Sequence, residues 1–114
     1  MKVTKSSGNV FADIGFDEIE AEELAAKSDL IALLTRAMRQ RKLTQRAAAA
    51  ICGTDQPTLS KVLRGRLESV TIDRLTRWIM ALGGDVRISV TAPGARPSRA
   101  RGSMSVVGRY RSTA

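Results

Sequence analysis

Residues 44–65 read TQRAAAAICGTDQPTLSKVLRG, a pattern that predicts two short helices joined by a turn. Thr44 is placed to cap a helix that we expect over residues 45–51, because a threonine hydroxyl accepts a hydrogen bond from the unpaired amides at a helix start. The alanine run has high helix propensity and lets another helix approach closely. Gly53 should end this helix, since glycine adopts a turn conformation that a Cβ atom would strain.

The second half of the stretch predicts another short helix, over residues 56–64. Asp55 is positioned as its N-cap, and Pro57 is tolerated because the amides of a first helical turn have no partner within the helix. Gly65 should end it as a left-handed C-terminal glycine does. Two short helices joined by a tight glycine-containing turn form the helix-turn-helix arrangement.

Helices on both sides of this stretch complete the predicted bundle. Asp17, with Glu20 three residues later, has the spacing of a capped helix start, and apolar residues then recur at helical intervals to about Arg41. Thr71 caps the last predicted helix, which should end at the following glycine pair, Gly83–Gly84. The residues between the second short helix and Thr71 are expected to form a loop.

The hydrophobic period changes after the last helix. Residues 85–91 alternate between apolar and polar side chains, with Val86, Ile88 and Val90 on one face, which is the pattern of a strand with one buried side. A lone strand cannot satisfy its own backbone hydrogen bonds. The pattern therefore predicts a partner strand from a second copy of the chain or from the sheet edge of another protein.

Charge is unevenly distributed along the chain, whose formal net charge is +8 at pH 7. Residues 1–34 carry three lysines against seven acidic residues, residues 35–90 carry eleven basic against four acidic residues, and residues 91–114 carry five arginines and no acid. A basic excess of this size attracts polyanions through counterion release. Nucleic acid is therefore the expected partner.

The composition argues against several other classes of protein. The chain has no histidine and a single cysteine, Cys52, so the commonest general base and metal ligand are missing and no intramolecular disulfide can form. No apolar run approaches the roughly 18 residues that a membrane span requires. We expect no catalytic activity, no metal, no cofactor and no membrane partner, and a cytoplasmic, nucleoid-associated location.

Five positions of the central stretch resemble the XRE family of Cro/C1-type helix-turn-helix proteins: Gln45, Ala49, Gly53, Leu59 and Val62. The resemblance implies an all-α fold, a lambda-repressor-like bundle of four to five helices, to which the pattern of residues 85–91 adds a short C-terminal β-strand. Thr54 departs from the family pattern, which usually has Val or Ile at this turn position.

A narrower resemblance, to the HigA-type antitoxin branch of that family, covers about residues 6–91. It is carried by SSGNVFADIGF (6–16), DQP (55–57), LRGRL (63–67) and ALGGDV (81–86). Such antitoxins are commonly encoded beside a RelE/HigB-like ribonuclease toxin, bind it, and repress their own operon as dimers. The resemblance therefore implies a sequence-specific repressor with a DNA operator, a toxin partner and a homodimeric state.

The predicted organisation has three parts: an N-terminal arm over residues 1–16, a helix-turn-helix DNA-binding domain with its C-terminal strand over 17–91, and a disordered basic tail over 92–114. The tail is predicted from its Ser, Arg, Pro and Gly content and its lack of any periodic apolar face.

The outward face of the second short helix supplies the candidates for base reading. A glutamine amide can bond adenine and a lysine guanine, each good contact contributing about 1–3 kcal/mol of discrimination, while a threonine methyl can touch thymine. The predicted base-reading residues are Gln56, Thr58 and Lys61. The predicted phosphate contacts, which position without reading sequence, are Gln45, Arg46, Ser60, Arg64 and Arg66. The family resemblance supports the roles of Gln45 and Gln56.

The arm contains four apolar residues that something must bury: Val10, Phe11, Ile14 and Phe16. In one interpretation they fold back over the chain's own helices, with Phe16 stapling the start of the long helix. In another, this acidic arm docks on a basic toxin and folds as it binds. An autoinhibitory arm is an equal alternative.

Two further functions stay open beside the antitoxin. One is a stand-alone phage-type XRE regulator without a toxin partner, and the other is a protein-interaction module that no longer reads DNA. An enzyme is the weakest alternative because the chain lacks a histidine, a metal-ligand set and a phosphate-binding loop.

Overall fold

The structure, a computed structural model, describes residues 9–95 and 101–109, and over these residues the chain is helical. A short 3₁₀ helix, Leu67–Ser69, lies where the sequence predicts a loop. The α-helices are α1 (Val10–Asp13), α2 (Glu18–Gln40), α3 (Gln45–Cys52), α4 (Gln56–Leu63) and α5 (Ile72–Ala81). The predicted helical bundle is confirmed, and α1 is the helix that the sequence pattern did not predict.

Helices α2 to α5 begin at the residues that the sequence predicts. Each start has a side-chain oxygen that accepts a hydrogen bond from the backbone amide three residues later. This bond satisfies one of the four amides that a helix start leaves unpaired. The capping residues are Asp17, Thr44, Asp55 and Thr71.

Helix α2 ends in a left-handed residue that is not glycine. The backbone amide of Leu43 donates to the carbonyl of Met38 at 2.9 Å, and that of Lys42 donates to Arg39 at 3.0 Å. This pair of bonds closes the end of a helix when the first residue after the C-cap is left-handed. Lys42 holds that position and has φ of 55°. The same closure at the end of α3 uses Gly53, with φ of 76°, as the sequence predicts.

The core lies where α2 packs against α5, with α3 and α4 seated on the pair. The largest fully buried side chains are Leu34, Leu59, Val62 and Leu75. Burying each of these aliphatic side chains contributes about 1.5–3 kcal/mol. Trp78 is also buried in this core, and burial raises the pKa of the neighbouring Cys52 thiol, whose Sγ lies 3.7 Å from the Trp78 carbonyl oxygen.

Two basic side chains, one in α2 and one at its C-cap, hold distant segments on the bundle. The Lys27 Nζ is buried and donates to the carbonyl of Leu67 at 3.1 Å, with Glu23 at 3.7 Å. The Arg41 Nη1 donates to the carbonyl of Leu82, at the end of α5, at 3.2 Å. These bonds fix the 3₁₀ helix and the end of α5 relative to α2.

The β-strand predicted for residues 85–91 is absent from the part of the chain that the structure describes. Val86 packs on the core, whereas Ile88 and Val90 are 87% and 85% exposed. Apolar and polar side chains alternate along this segment, but its backbone is not paired as a strand. No second strand lies beside this segment within residues 9–95 and 101–109, so no ladder forms.

The described part of the N-terminal arm folds back on α2. Asn9 caps α1 by accepting bonds from the amides of Phe11 and Ala12, and its Nδ2 donates to the carbonyl of Ala21 in α2 at 3.0 Å. The rings of Phe11 and Phe16 meet edge to face with centroids 6.2 Å apart. This is the geometry of the first interpretation of the arm, although Phe16 remains 41% exposed.

Parts of both predicted flanking segments, residues 1–8, 96–100 and 110–114, lie outside the described residues. Residues 101–109 belong to the segment predicted to be a disordered tail, and the structure places them along α2. Arg101 pairs with Glu22 there, and Val106 packs against the hydrophobic core.

Candidate nucleic-acid interface

Helices α3 and α4 meet through small side chains on one helix and branched ones on the other. Ala48 and Ala49 of α3 are almost completely buried, and a larger residue at either position would push the helices apart. Leu59 and Val62 of α4 have no exposed surface, so they anchor that helix on the core. The opposite face of α4 is thereby turned outward.

A hydrogen bond between two glutamines joins the start of α3 to the start of α4. The Gln56 Nε2 donates to the Gln45 Oε1 at 2.9 Å, across eleven residues of sequence. Gln56 is exposed and Gln45 is half-buried. The bond uses one of the two amide hydrogens of Gln56, so its second hydrogen and its Oε1 stay free to address adenine N7 and N6, while the Gln45 amide nitrogen can donate to a phosphate.

The cap of α4 lies beside this glutamine pair. The Asp55 carboxylate accepts a hydrogen bond from the backbone amide of Thr58 at 2.7 Å. Hydrogen bonding from Thr58, aided by the nearby Lys61 charge, lowers the pKa of Asp55 below its usual value. The ionised carboxylate holds the first turn of α4, and with it the direction in which Gln56 points.

The remaining outward residues of α4 divide into half-buried and exposed positions. Thr58 and Ser60 are half-buried, and Lys61 and Arg64 are exposed. The Arg64 Nη1 lies 3.4 Å from the Ser60 Oγ, to which it donates. The charged side chains of Lys61 in α4 and of Arg64, just after it, are therefore more exposed than the hydroxyls of Thr58 and Ser60.

Helix α4 closes on Gly65, which has φ of 95°. The amide of Gly65 donates to the Val62 carbonyl at 2.9 Å, and the amide of Arg66 donates to the Lys61 carbonyl at 3.2 Å. Arg64 and Arg66 thus stand on the two sides of a defined turn, and both are exposed. The structure moves the end of α4 to Leu63, with Arg64 as its C-cap, one residue before the predicted end.

The predicted site residues are brought together in part. Gln45 and Arg46 open α3, and they lie beside α4 because of the glutamine bond. The arm residues Val10, Phe11 and Ile14 lie elsewhere, on α1 and at its end; α1 contacts α2, but Val10 and Ile14 remain more than half exposed. The bond between the two glutamines was not foreseen from the sequence, and the signal that could have found it is that both stand at the first position of their helices.

Other kinds of site are not seen in the described residues. Within residues 9–95 and 101–109, no group of three or more Cys, Asp or Glu side chains is placed to hold a metal ion. None of the helices there is long and apolar enough to cross a membrane.

Comparison with known proteins identifies the class. A family model for a helix-turn-helix domain matches residues 10–91. A solved structure named "Putative XRE Family Transcriptional Regulator" superposes with a TM-score of 0.69 at 34% identity, and the match covers 79% of this chain and 99% of that one. No curated protein matches.

The fold, the paired short helices and these matches define a helix-turn-helix DNA-binding protein. The chain belongs to the XRE-type helix-turn-helix family and is a DNA-binding transcriptional regulator. Regulators of this family generally bind DNA and do not catalyse reactions.

Proposed function

We propose that the chain is a sequence-specific transcriptional repressor that reads its operator through α4. The observation that supports this most is the hydrogen bond between Gln45 and Gln56. It holds an exposed amide in a fixed direction at the start of the helix that faces outward, and a fixed amide loses less rotational freedom on binding a base. Such pre-organisation is useful for reading a base and has no role in the core.

In this proposal, the position of each residue determines whether it contacts bases or phosphates. Gln56, Thr58 and Lys61 face the base edges of the major groove. The contacts to phosphate come from both helices and from the turn after α4, namely Gln45, Arg46, Ser60, Arg64 and Arg66. The exposed arginines then fix the register of α4 on the duplex, and the base contacts provide the discrimination.

The proposed active form is a homodimer. The exposed pattern of Ile88 and Val90 supports pairing of residues 85–91 with the same segment of a second copy, which would provide the missing strand and cover both side chains. A dimer would present two α4 helices about 34 Å apart, as successive major grooves require, so the operator should be nearly palindromic.

A toxin partner is the finer part of the proposal. Residues 9–34 carry seven acids against one lysine, and Val10 and Ile14 of the arm remain more than half exposed. An acidic, apolar surface has no favourable contact to make with DNA but suits a basic protein such as a RelE/HigB-like ribonuclease toxin. The chain would then be the antitoxin that binds this toxin and represses the operon encoding both.

A stand-alone regulator is the second candidate, and one observation favours it. Asn9 and Phe11 already pack on α2 of the same chain, so the arm has a use that requires no toxin. Affinity purification from the native host separates the two candidates. Co-purification of a small basic ribonuclease would establish the antitoxin role, and its repeated absence would leave the stand-alone regulator.

Gel-shift titration of the DNA upstream of the chain's own gene tests the repressor proposal. Several phosphate contacts predict that affinity falls by orders of magnitude between about 50 and 200 mM salt. Binding of the upstream DNA should also exceed binding of a shuffled duplex at the same salt. Equal affinity for the two duplexes, or binding that does not depend on salt, would reject the proposal.

A further inference from the structure

Residues 101–109 make two separate contacts with α2, outside the segment that the family model matches. At one end, the Arg101 guanidinium donates to the Glu22 Oε1 at 3.0 Å and lies 3.7 Å from the Glu18 Oε1. At the other end, Val106 packs on the hydrophobic core beside Leu33. We call residues 101–109 the tail segment.

The glycine near the end of the tail segment fits closely against α2. A Cβ atom on Gly108 would lie 2.2 Å from the Leu33 Cδ2, whereas a Cβ on Gly102 would meet nothing within 4 Å. Leu33 itself packs against the buried core, which limits how far it could move aside. A side chain at position 108 would therefore require Leu33 or the tail segment itself to shift.

The two contacts are spaced as a chain running alongside α2 requires. Glu22 and Leu33 are about 16 Å apart along the helix axis at 1.5 Å per residue, and an extended chain from Arg101 to Gly108 spans about 23 Å at most. The tail segment can thus hold both contacts at once. The hydrogen bond to Glu22 also raises the pKa of the Arg101 guanidinium.

We propose that the tail segment is an autoinhibitory latch, which keeps Arg101 on the acids of α2 and so lowers the affinity for DNA of arbitrary sequence. Residues 91–114 contain five arginines and no acid, which makes them suited to phosphate contact without base reading. A phosphate that approaches Arg101 in this position is repelled by the Glu18 and Glu22 carboxylates beside it. The acids of α2 therefore compete with DNA for this region, and the ratio of specific to non-specific affinity rises because non-specific binding is weakened.

The first test uses substitutions that leave every charge of the chain unchanged. Gly108→Val in the full chain should displace the tail segment, and Gly102→Val is the matched control in the same segment. Two quantities are measured for each variant: the rate at which chymotrypsin cuts after Met104, which is next to neither substituted glycine, and the salt dependence of binding to a duplex of shuffled sequence.

Gly108→Val should be cut faster than the unmodified chain. For this variant, the slope of the logarithm of the DNA-binding constant against the logarithm of salt concentration should steepen by about 0.9 for each additional phosphate that the released arginines neutralise. One additional phosphate corresponds to about tenfold tighter binding at about 50 mM salt. Gly102→Val should match the unmodified chain in both measurements. The melting temperature should fall only slightly, because the substitution releases the Val106 and Arg101 contacts but leaves the packing between α2 and α5 intact.

A second route opens the latch from its other end. Glu22→Gln should reproduce the effects of Gly108→Val, whereas Glu20→Gln removes the same charge two residues away and should change the slope little. Faster cleavage with an unchanged DNA slope would overturn the latch, as would unmodified behaviour of both Gly108→Val and Glu22→Gln. Either result would leave operator reading by α4 untouched, since that is measured on specific DNA.

Discussion

The hydrogen bond between Gln45 and Gln56 predicts that these two residues contribute to operator affinity as a unit. Gln56→Ala removes the proposed adenine contact and should cost about 1–3 kcal/mol, or about 5–150-fold in the dissociation constant. Gln45→Ala removes the proposed phosphate contact and also the acceptor that holds Gln56 at 2.9 Å. Part of the affinity that Gln45→Ala loses therefore arises because Gln56 is no longer held in place, and Gln56→Ala loses that same part.

The double variant should consequently lose less affinity than the two single losses combined. The net contribution of a neutral hydrogen bond is about 0.5–1.5 kcal/mol, so the shortfall should be about 2–13-fold in the dissociation constant. Fluorescence anisotropy titration of an operator duplex at constant salt measures all four proteins. The control cycle joins Gln45→Ala with Lys61→Ala, whose losses should add. Strict additivity of the two glutamines would refute the proposal that their bond pre-organises the reading residue.

Three stability predictions follow from the fold. Leu59→Ala, at a fully buried position of α4, should lower the free energy of unfolding in urea by about 2–5 kcal/mol, whereas Ile88→Ala, at a site 87% exposed, should change it by less than about 0.5 kcal/mol; equal effects would contradict the burial. Lys42→Gly should raise the melting temperature. Removing the strain of a left-handed residue with φ of 55° stabilises the fold by about 1–2 kcal/mol, which exceeds the roughly 0.5–1 kcal/mol lost because glycine makes the unfolded chain more flexible. A lower melting temperature would count against the left-handed cap. The lowered pKa of Asp55 means that its capping bond stabilises the fold above the unfolded value near 3.8 and is lost as pH falls through the folded value. The melting temperature of Asp55→Asn should therefore depend less on pH below 4 than that of the unmodified chain, and parallel curves would contradict this.

The helices that could be predicted from the sequence are those whose signals are local. Capping oxygens lie three residues from the amides they satisfy, and the apolar period of a helix repeats within a few residues, so Asp17 and Thr71 marked α2 and α5 directly. The turn at Gly53 was equally local. These short-range patterns were enough to predict the helix-turn-helix unit and the family to which it belongs.

The features that the sequence did not predict depend on partners far along the chain. Lys27 bonds a carbonyl 40 residues away, and Arg101 pairs with an acid 79 residues away. A charge pattern alone does not show which acid an arginine will meet. The predicted strand is not formed within the described residues for a related reason: alternation describes the side chains of one segment, whereas a strand requires a second backbone beside it.

The candidate site was predictable as a set of outward positions but not as an arrangement. Helical periodicity placed Gln56, Lys61 and Arg64 on the face opposite Leu59 and Val62. The bond from Gln56 to Gln45 depends on how α3 crosses α4, which is set by the small volume of the buried alanines between them. That crossing is a tertiary property, and the structure was needed to show it.

Selection of bound sequences from a random duplex library tests directly the claim that the chain reads DNA through α4. The unmodified chain should enrich a nearly palindromic sequence whose two half-sites lie about one helical turn apart. Gln56→Ala with Lys61→Ala should lose preference at the base pairs these residues face while keeping the half-site spacing, because its phosphate contacts remain. The claim would be contradicted if no sequence is enriched, or if the double variant enriches the same sequence as the unmodified chain.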